Sequence, residues 1–177
     1  LDDDGEGVYL HDSVENGGAL LDSIQFGLQV AGFSIGRIGH SGSQWALTRV
    51  TPGQANQRQP FGPQSGLCIN EWLAAPDILF AEDFIEIHNP DNLPVPLAGL
   101  IISQDARPEG NQGEIAPLSF IAANGFSVFR ANGSGQGGLR ELDFKLSSSY
   151  EWIYLLAGDF TAIDQVHLQA EGVDVAR

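Results

Sequence analysis

The chain has 177 residues, enough for one large domain or two small ones, and carries 23 acidic against 8 basic side chains, a formal net charge of -15 at pH 7. A surface this acidic repels phosphate backbones and anionic headgroups, which excludes sequence-independent binding to nucleic acid or to an anionic membrane. At 42% hydrophobic the chain is too apolar for a disordered acidic tail, no apolar run approaches the ~18 residues of a spanning helix, and a lone Cys68 excludes an internal disulfide framework.

The chain opens on Leu1 and holds no methionine, which reads as a processed chain or a piece of a longer one. Apolar residues alternate rather than recur at helical spacing, as in Phe84-Ile85-Glu86-Ile87-His88, Phe126-Ser127-Val128-Phe129 and Ile163-Asp164-Gln165-Val166-His167-Leu168. Period-2 patterning predicts half-buried strands. Breaks such as Asn16-Gly17-Gly18 and Asn124-Gly125 supply the positive-φ residues of tight turns. Residues 33–37 and 45–50 read as two further strands. The whole predicts an all-β fold, an antiparallel sandwich or barrel.

The chain also repeats itself. Residues 1–10 align without gaps on 146–155, with identities at Leu1/Leu146, Glu6/Glu151, Tyr9/Tyr154 and Leu10/Leu155. Downstream, Leu21-Asp22 matches Ile163-Asp164, Ile24 matches Val166, Phe26 matches Leu168, and Ile35-Gly36-Arg37 matches Val175-Ala176-Arg177. A period of roughly 140 residues is the size of a domain, not of a solenoid repeat. Between the copies, residues 51–66 carry Pro52, Pro60 and Pro63 and little to bury, which predicts an extended linker. The expected organisation is therefore residues 1–50 as the C-terminal strands of a first module, 51–66 as a linker, and 67–177 as a second module lacking its last strand.

Several strings resemble chemistry without its context. Gly32-Phe33-Ser34-Ile35-Gly36 fits G-x-S-x-G, but a nucleophile elbow needs a following helix, and Arg37-Ile38-Gly39-His40-Ser41-Gly42 is hostile to one. Gly133-Ser134-Gly135-Gln136-Gly137-Gly138 fits G-x-G-x-x-G, yet strand-like alternation follows, so a hairpin loop is the expectation. His11, His40, His88 and His167 show no ligand spacing to one another or to Cys68. Asp2, Asp3, Asp4 and Glu6 form a weak calcium candidate, but they lack EF-hand alternation and the second copy has serines there. Glu71 and Glu86 read as separate hydrogen-bond acceptors. Asn132-Gly133-Ser134 is a glycosylation sequon, and Cys68 reads as a small core residue. No catalytic residue, cofactor or firm metal site is expected, and the chain reads as no enzyme.

The second module resembles the lamin-tail domain family. Cys68-Ile69-Asn70-Glu71-Trp72 is similar to its opening strand, Asp83-Phe84-Ile85-Glu86-Ile87-His88-Asn89-Pro90 to the next, and Pro94-Val95-Pro96-Leu97-Ala98-Gly99-Leu100 to the third. Phe144-Lys145-Leu146-Ser147-Ser148-Ser149 with Ile153-Tyr154-Leu155-Leu156 is similar to the bacterial branch. Ser34-Ile35-Gly36-Arg37 through Trp45 to Thr51-Pro52-Gly53 resembles the tail that follows bacterial copies. Cys68, where a β-branched residue is usual, and the insertion at 72–81 depart from the pattern. The resemblance implies an immunoglobulin-like sandwich, an interaction surface without intrinsic catalysis, and an extracellular or cell-surface setting.

Two functions are then expected to compete. One is a structural module whose unfilled sheet edges pair with copies of itself or with neighbouring repeats, head to tail. The strand material for that assembly is Phe33, Ile35, Trp45, Leu47 and Val50. The other is an accessory domain binding carbohydrate or protein through a platform of Trp45, Trp72, Tyr150 and Trp152. Chromatin binding is disfavoured by the charge, and no nucleic-acid partner or membrane insertion is expected.

Overall fold

A computed structural model describes residues 1, 3–39, 44–74, 82–109, 113–134, 138–147 and 150–169. Its regular elements are strands, with two single 3-10 turns at Val14–Asn16 and Gln64–Gly66. The strands are β1 (Glu6–His11), β2 (Leu20–Phe26), β3 (Phe33–Ile38), β4 (Gln44–Arg49), β5 (Cys68–Leu73), β6 (Phe84–His88), β7 (Val95–Pro96), β8 (Ile101–Ser103), β9 (Phe120–Ile121), β10 (Phe126–Arg130), β11 (Tyr150–Leu156) and β12 (Ala162–Gln169). All their pairings are antiparallel. The chain is all-β.

The second half is a sandwich. One sheet has the order β10-β6-β5, the other β12-β11-β8, and β7 pairs with β9. Alternation sets their inner faces: Ile69, Ile85, Ile87 and Phe129 from the first sheet meet Ile102, Ile153, Leu155 and Leu168 from the second in one buried cluster. Asp164 ties the layers where β5 bulges, its carboxylate accepting the Ile69 N–H at 2.8 Å. The Asn124-Gly125 turn behaves as the sequence requires: Asn124 sits at φ 51°, and the Gly125 carbonyl accepts the Asn89 N–H.

The first half is two hairpins, β1-β2 and β3-β4. Its first hairpin turns through the 3-10 turn capped by Ser13, with Gly17 at φ 95° closing it. That hairpin reproduces β11-β12. Val8 stands opposite Ile24 as Ile153 stands opposite Val166, and Leu10 opposite Asp22 as Leu155 opposite Asp164. Both ladders slip at the same place, between Leu10 and His11 and between Leu155 and Leu156. The settings differ. Ile153 and Leu155 are 0% exposed, whereas Val8 is 41% and Leu10 59% exposed. Tyr9 fills the outer face by lying over Gly7, where Tyr154 in the second copy stacks on Trp152 at 5.9 Å.

Residues 51–66 bury more than their composition predicts. The Arg49 N–H donates to the Gln57 carbonyl and the Gln59 N–H to the Leu47 carbonyl, so 57–59 runs alongside β4. Gln59 is buried, Phe61 stacks on Phe120 at 5.6 Å, and the Gly62 N–H donates to the Pro94 carbonyl. The prolines keep this segment extended, and its backbone then finds partners on both halves.

Candidate interaction site

The halves are joined where β2 ends. Strand parity that puts Phe26 inward also puts Leu28 inward, but Leu28 enters the core of the second half. It is 1% exposed and belongs to the cluster of Ile85, Leu97 and Ile121. Residues 27–29, beyond the end of β2, lie along 117–120 as an extended segment: the Gly27 N–H donates to the Pro117 carbonyl at 3.0 Å and the Phe120 N–H to the Leu28 carbonyl at 2.9 Å. The Leu28 N–H donates to the fully buried Ser119 Oγ at 3.1 Å. Gln29 Nε2 donates to the Leu118 carbonyl at 3.0 Å and to the Gly27 carbonyl at 2.8 Å.

Two backbone features are specific to this joint. A Cβ on Gly27 would overlap Ser119 Oγ and approach the Pro117 carbonyl to 3.2 Å, so glycine is required by close approach. Leu118 holds φ 54°, a conformation that disfavours a branched residue by about 1–2 kcal/mol, and its carbonyl is one of those the donated segment engages. A rim of charge completes the contact. Arg140 Nε donates to Asp4 at 2.6 Å, and Gly5 runs beneath Leu139. Both charged groups are partly solvated, so the pair contributes little beyond orientation.

The assembly candidates lie elsewhere. Phe33 and Ile35 on β3, with Trp45 and Leu47 on β4, form their own hairpin: Phe33 opposes Arg49, and Ile35 opposes Leu47. Leu47 is buried within the first half, Val50 is 61% exposed, and Phe33, Ile35 and Trp45 line a groove of about 500 Å³ against Val8, Ile24 and Phe26. The Arg37 guanidinium sits 4.4 Å over the Trp45 ring and binds Asp22 through one nitrogen to both carboxylate oxygens. Gly27 and Leu28 were not among the candidates. Their one sequence signal is an apolar residue two beyond Phe26, which reads as more of β2.

Asp2 lies outside the described residues. Asp4 is engaged by Arg140, the Asp3 carbonyl accepts the Gln29 N–H, and Glu6 pairs across to Phe26. Among the described residues no group of three His, Cys, Asp or Glu side chains is placed to hold a metal ion. Ser34 lies within β3 with its hydroxyl 3.0 Å from Thr48 Oγ1, far from elbow geometry. The Gly-rich run falls partly outside the described residues. Asn132 Oδ1 accepts the Ser134 N–H at 3.0 Å and its hydroxyl at 2.8 Å, an Asx turn on the sequon.

Glu71 and Glu86 are a correction to the sequence reading, which kept them apart. A bulge at Asn70 shifts the register so that they face each other across β5 and β6, and Asn70 Nδ2 donates to Glu86 Oε1 at 2.8 Å. The proposed aromatic platform divides: Trp72 packs against the core, Trp45 lies in the groove, and Trp152 stacks on Tyr154 and tilts against His167 at 4.6 Å. The Tyr150 side chain lies outside the described residues.

Two titratable groups are displaced by their surroundings. Burial pushes the Glu151 carboxyl up from its ordinary value; the Ser147 N–H, 2.6 Å from Oε2, opposes this, and Asp83 adds to it. Gln104 Nε2 donates to the other oxygen. Burial, with Asp164 nearby, pushes the Cys68 thiol up as well. Glu151 thus bridges two loops, and the raised Cys68 value disfavours a reactive thiolate. Comparison with family models, with curated proteins and with solved structures finds no match to this chain.

Proposed function

We propose that this chain is a non-catalytic structural module of the lamin-tail type, with an immunoglobulin-like sandwich, from an extracellular or cell-surface protein. Its modules join head to tail by strand complementation into a fibre or tandem array. The supporting observation is the joint at 27–29: an extended segment after β2 runs along 117–120, and its Leu28 lies in the core of the second half. Burying that side chain contributes about 1.5–3 kcal/mol, on an edge where backbone hydrogen bonds add register. The same contact exchanged between copies is head-to-tail, and a head-to-tail contact that does not close propagates.

The ordered strings Ile69-Asn70-Glu71 and Phe84-Ile85-Glu86-Ile87-His88-Asn89 support the family assignment, and the acidic surface suits a partner other than nucleic acid. Light scattering across a dilution series tests the assembly. Particles well above 18.9 kDa that persist on dilution, and fall to 18.9 kDa in Leu28→Asp, are the expected result. A concentration-independent particle of 18.9 kDa overturns assembly between chains.

A further inference from the structure

Hairpins β1-β2 and β11-β12 share one register, so their differences mark what the fold does not require. Trp152 stands opposite His167 and Tyr154 opposite Gln165, where the first copy has Gly7 opposite Gln25 and Tyr9 opposite Ser23. In the second copy these four positions form the outer face of the hairpin, since the alternating Ile153 and Leu155 lie in the core. Glycine and serine sustain the same ladder in the first copy, so the ladder itself demands neither the indole of Trp152 nor the amide of Gln165. The Trp152 ring lies nearly parallel to that of Tyr154, with 23° between planes and 5.9 Å between centroids, and His167 tilts against it at 4.6 Å from across the ladder. Two neighbours thus fix the orientation of an aromatic residue that remains 38% exposed. In the first copy the following hairpin, β3-β4, faces the other side, across the groove of Val8 and Ile24, and Tyr9 stays 53% exposed.

We infer that this outer face of β11-β12 binds a neutral oligosaccharide, with one pyranose unit lying on the Trp152 indole and its neighbours held by Gln165 and the Tyr154 hydroxyl. Charge selects that class. Positions 152, 154, 165 and 167 hold no Asp, Glu, Lys or Arg, in a chain whose net charge is -15. A charged peptide or a uronate finds no counter-charge there, and the surrounding acid repels nucleic acid. A neutral pyranose needs no counter-charge. Its C–H face packs on the electron-rich face of an aromatic ring, and its hydroxyls pair with groups that both donate and accept, as a glutamine amide and a phenol do. An indole held in place before binding also removes part of the ordering cost. The site adds a ligand to the structural module and uses none of the residues of the Leu28 joint.

The test uses the full chain, isotopically labelled for amide and indole N–H NMR, titrated separately with cellohexaose, xylohexaose, maltohexaose and chitohexaose. Saturable shifts of the Trp152 indole N–H and of the amides at 165–167 with at least one of these sugars are expected, with the Trp45 and Trp72 indoles unmoved. Trp152→Ala should weaken that binding about tenfold or more, and Gln165→Ala, at an exposed position, about threefold or more. Gly7 at the equivalent place in β1 shows that the hairpin accommodates a small residue there, and unchanged core amides in each variant check that it is folded. Absence of shifts with all four sugars at millimolar concentration overturns the inference, as do shifts that survive Trp152→Ala. So does a thymidine oligonucleotide that moves the Trp152 indole when no sugar does, which would make the face a base-stacking surface. Particle mass that depends on Leu28 without sugar binding removes this site and not the joint. Sugar binding by a chain that never exceeds 18.9 kDa removes assembly between chains and not this site.

Discussion

Replacing Leu28 by alanine removes a methine and two methyl carbons from a position 1% exposed and surrounded by the second half's core. The backbone contacts stay, since the Leu28 N–H and carbonyl keep Ser119 and Phe120. What is lost is the transfer free energy of the side chain plus the cavity it leaves. For a buried leucine that sum is about 2–5 kcal/mol, and dense packing by Ile85, Leu97 and Ile121 places the expectation near 3 kcal/mol. Against a domain stability of roughly 5–15 kcal/mol this is a large shift. Urea unfolding at 25 °C, followed by far-UV circular dichroism, should show a lower midpoint at an unchanged slope. Val14→Ala, at a residue 92% exposed, is the control and should stay within about 0.5 kcal/mol. A Leu28→Ala midpoint indistinguishable from the control would refute the claim that a residue of the first half completes the second half's core.

Gly27→Ala should destabilise by about 2 kcal/mol through overlap with Ser119 Oγ, and Ser119→Ala by about 1 kcal/mol through loss of the Leu28 N–H acceptor. The double variant should fall short of their sum by about 1 kcal/mol, because one change relieves the other; strict additivity in the same urea assay would contradict the close approach. Cys68 should react slowly with a disulfide reagent at pH 7 and speed up only at pH above its ordinary value of 9.0, because burial and Asp164 disfavour its thiolate; rapid labelling of the folded chain at pH 7 would contradict it. Glu151 carries a folded-state value above its ordinary 4.5, so its protonated form is the better-tolerated one. Its contribution is full below 4.5 and is lost as pH rises through the raised folded value. The stability of the native chain relative to Glu151→Gln should therefore grow as pH falls from 7 towards 4, and a flat or opposite trend in parallel urea titrations would refute the assignment.

The strands that alternate strongly were readable: β6 and β12 lie where Phe84 to His88 and Ile163 to Leu168 alternate, and β10 lies where Phe126 to Phe129 alternates, but there the structure turns Ser127 and Phe129 inward and leaves Phe126 and Val128 exposed. The repeat was readable in finer detail, since residues aligned by sequence occupy the same ladder positions in both hairpins. Other features depend on tertiary partners that local pattern does not encode. The bulge at Asn70 changes which residues meet, so Glu71 and Glu86 face each other although no spacing rule pairs them. β7 and β9 span two residues each, too short for a periodic signal. Gln59 is buried because its own N–H and the neighbouring Gln57 carbonyl hydrogen-bond to β4, in a segment whose prolines predict an extended linker. Leu28 is the clearest case: its parity is that of β2, and only Ser119, Pro117 and Phe120, some ninety residues away, make it a donated side chain rather than the tail of its own strand.

Native-state hydrogen exchange at single residues tests the central claim most directly. If the 27–29 segment is an integral part of the second half's core, the amides of Gly27, Leu28 and Phe120 open only with that core and share the exchange free energy of Ile153 and Ile87. Amides of β3 and β4 then exchange separately, through opening of their own hairpin. Exchange of Leu28 and Phe120 orders of magnitude faster than Ile153, with the core still protected, would show the joint to be a loose contact and contradict the account.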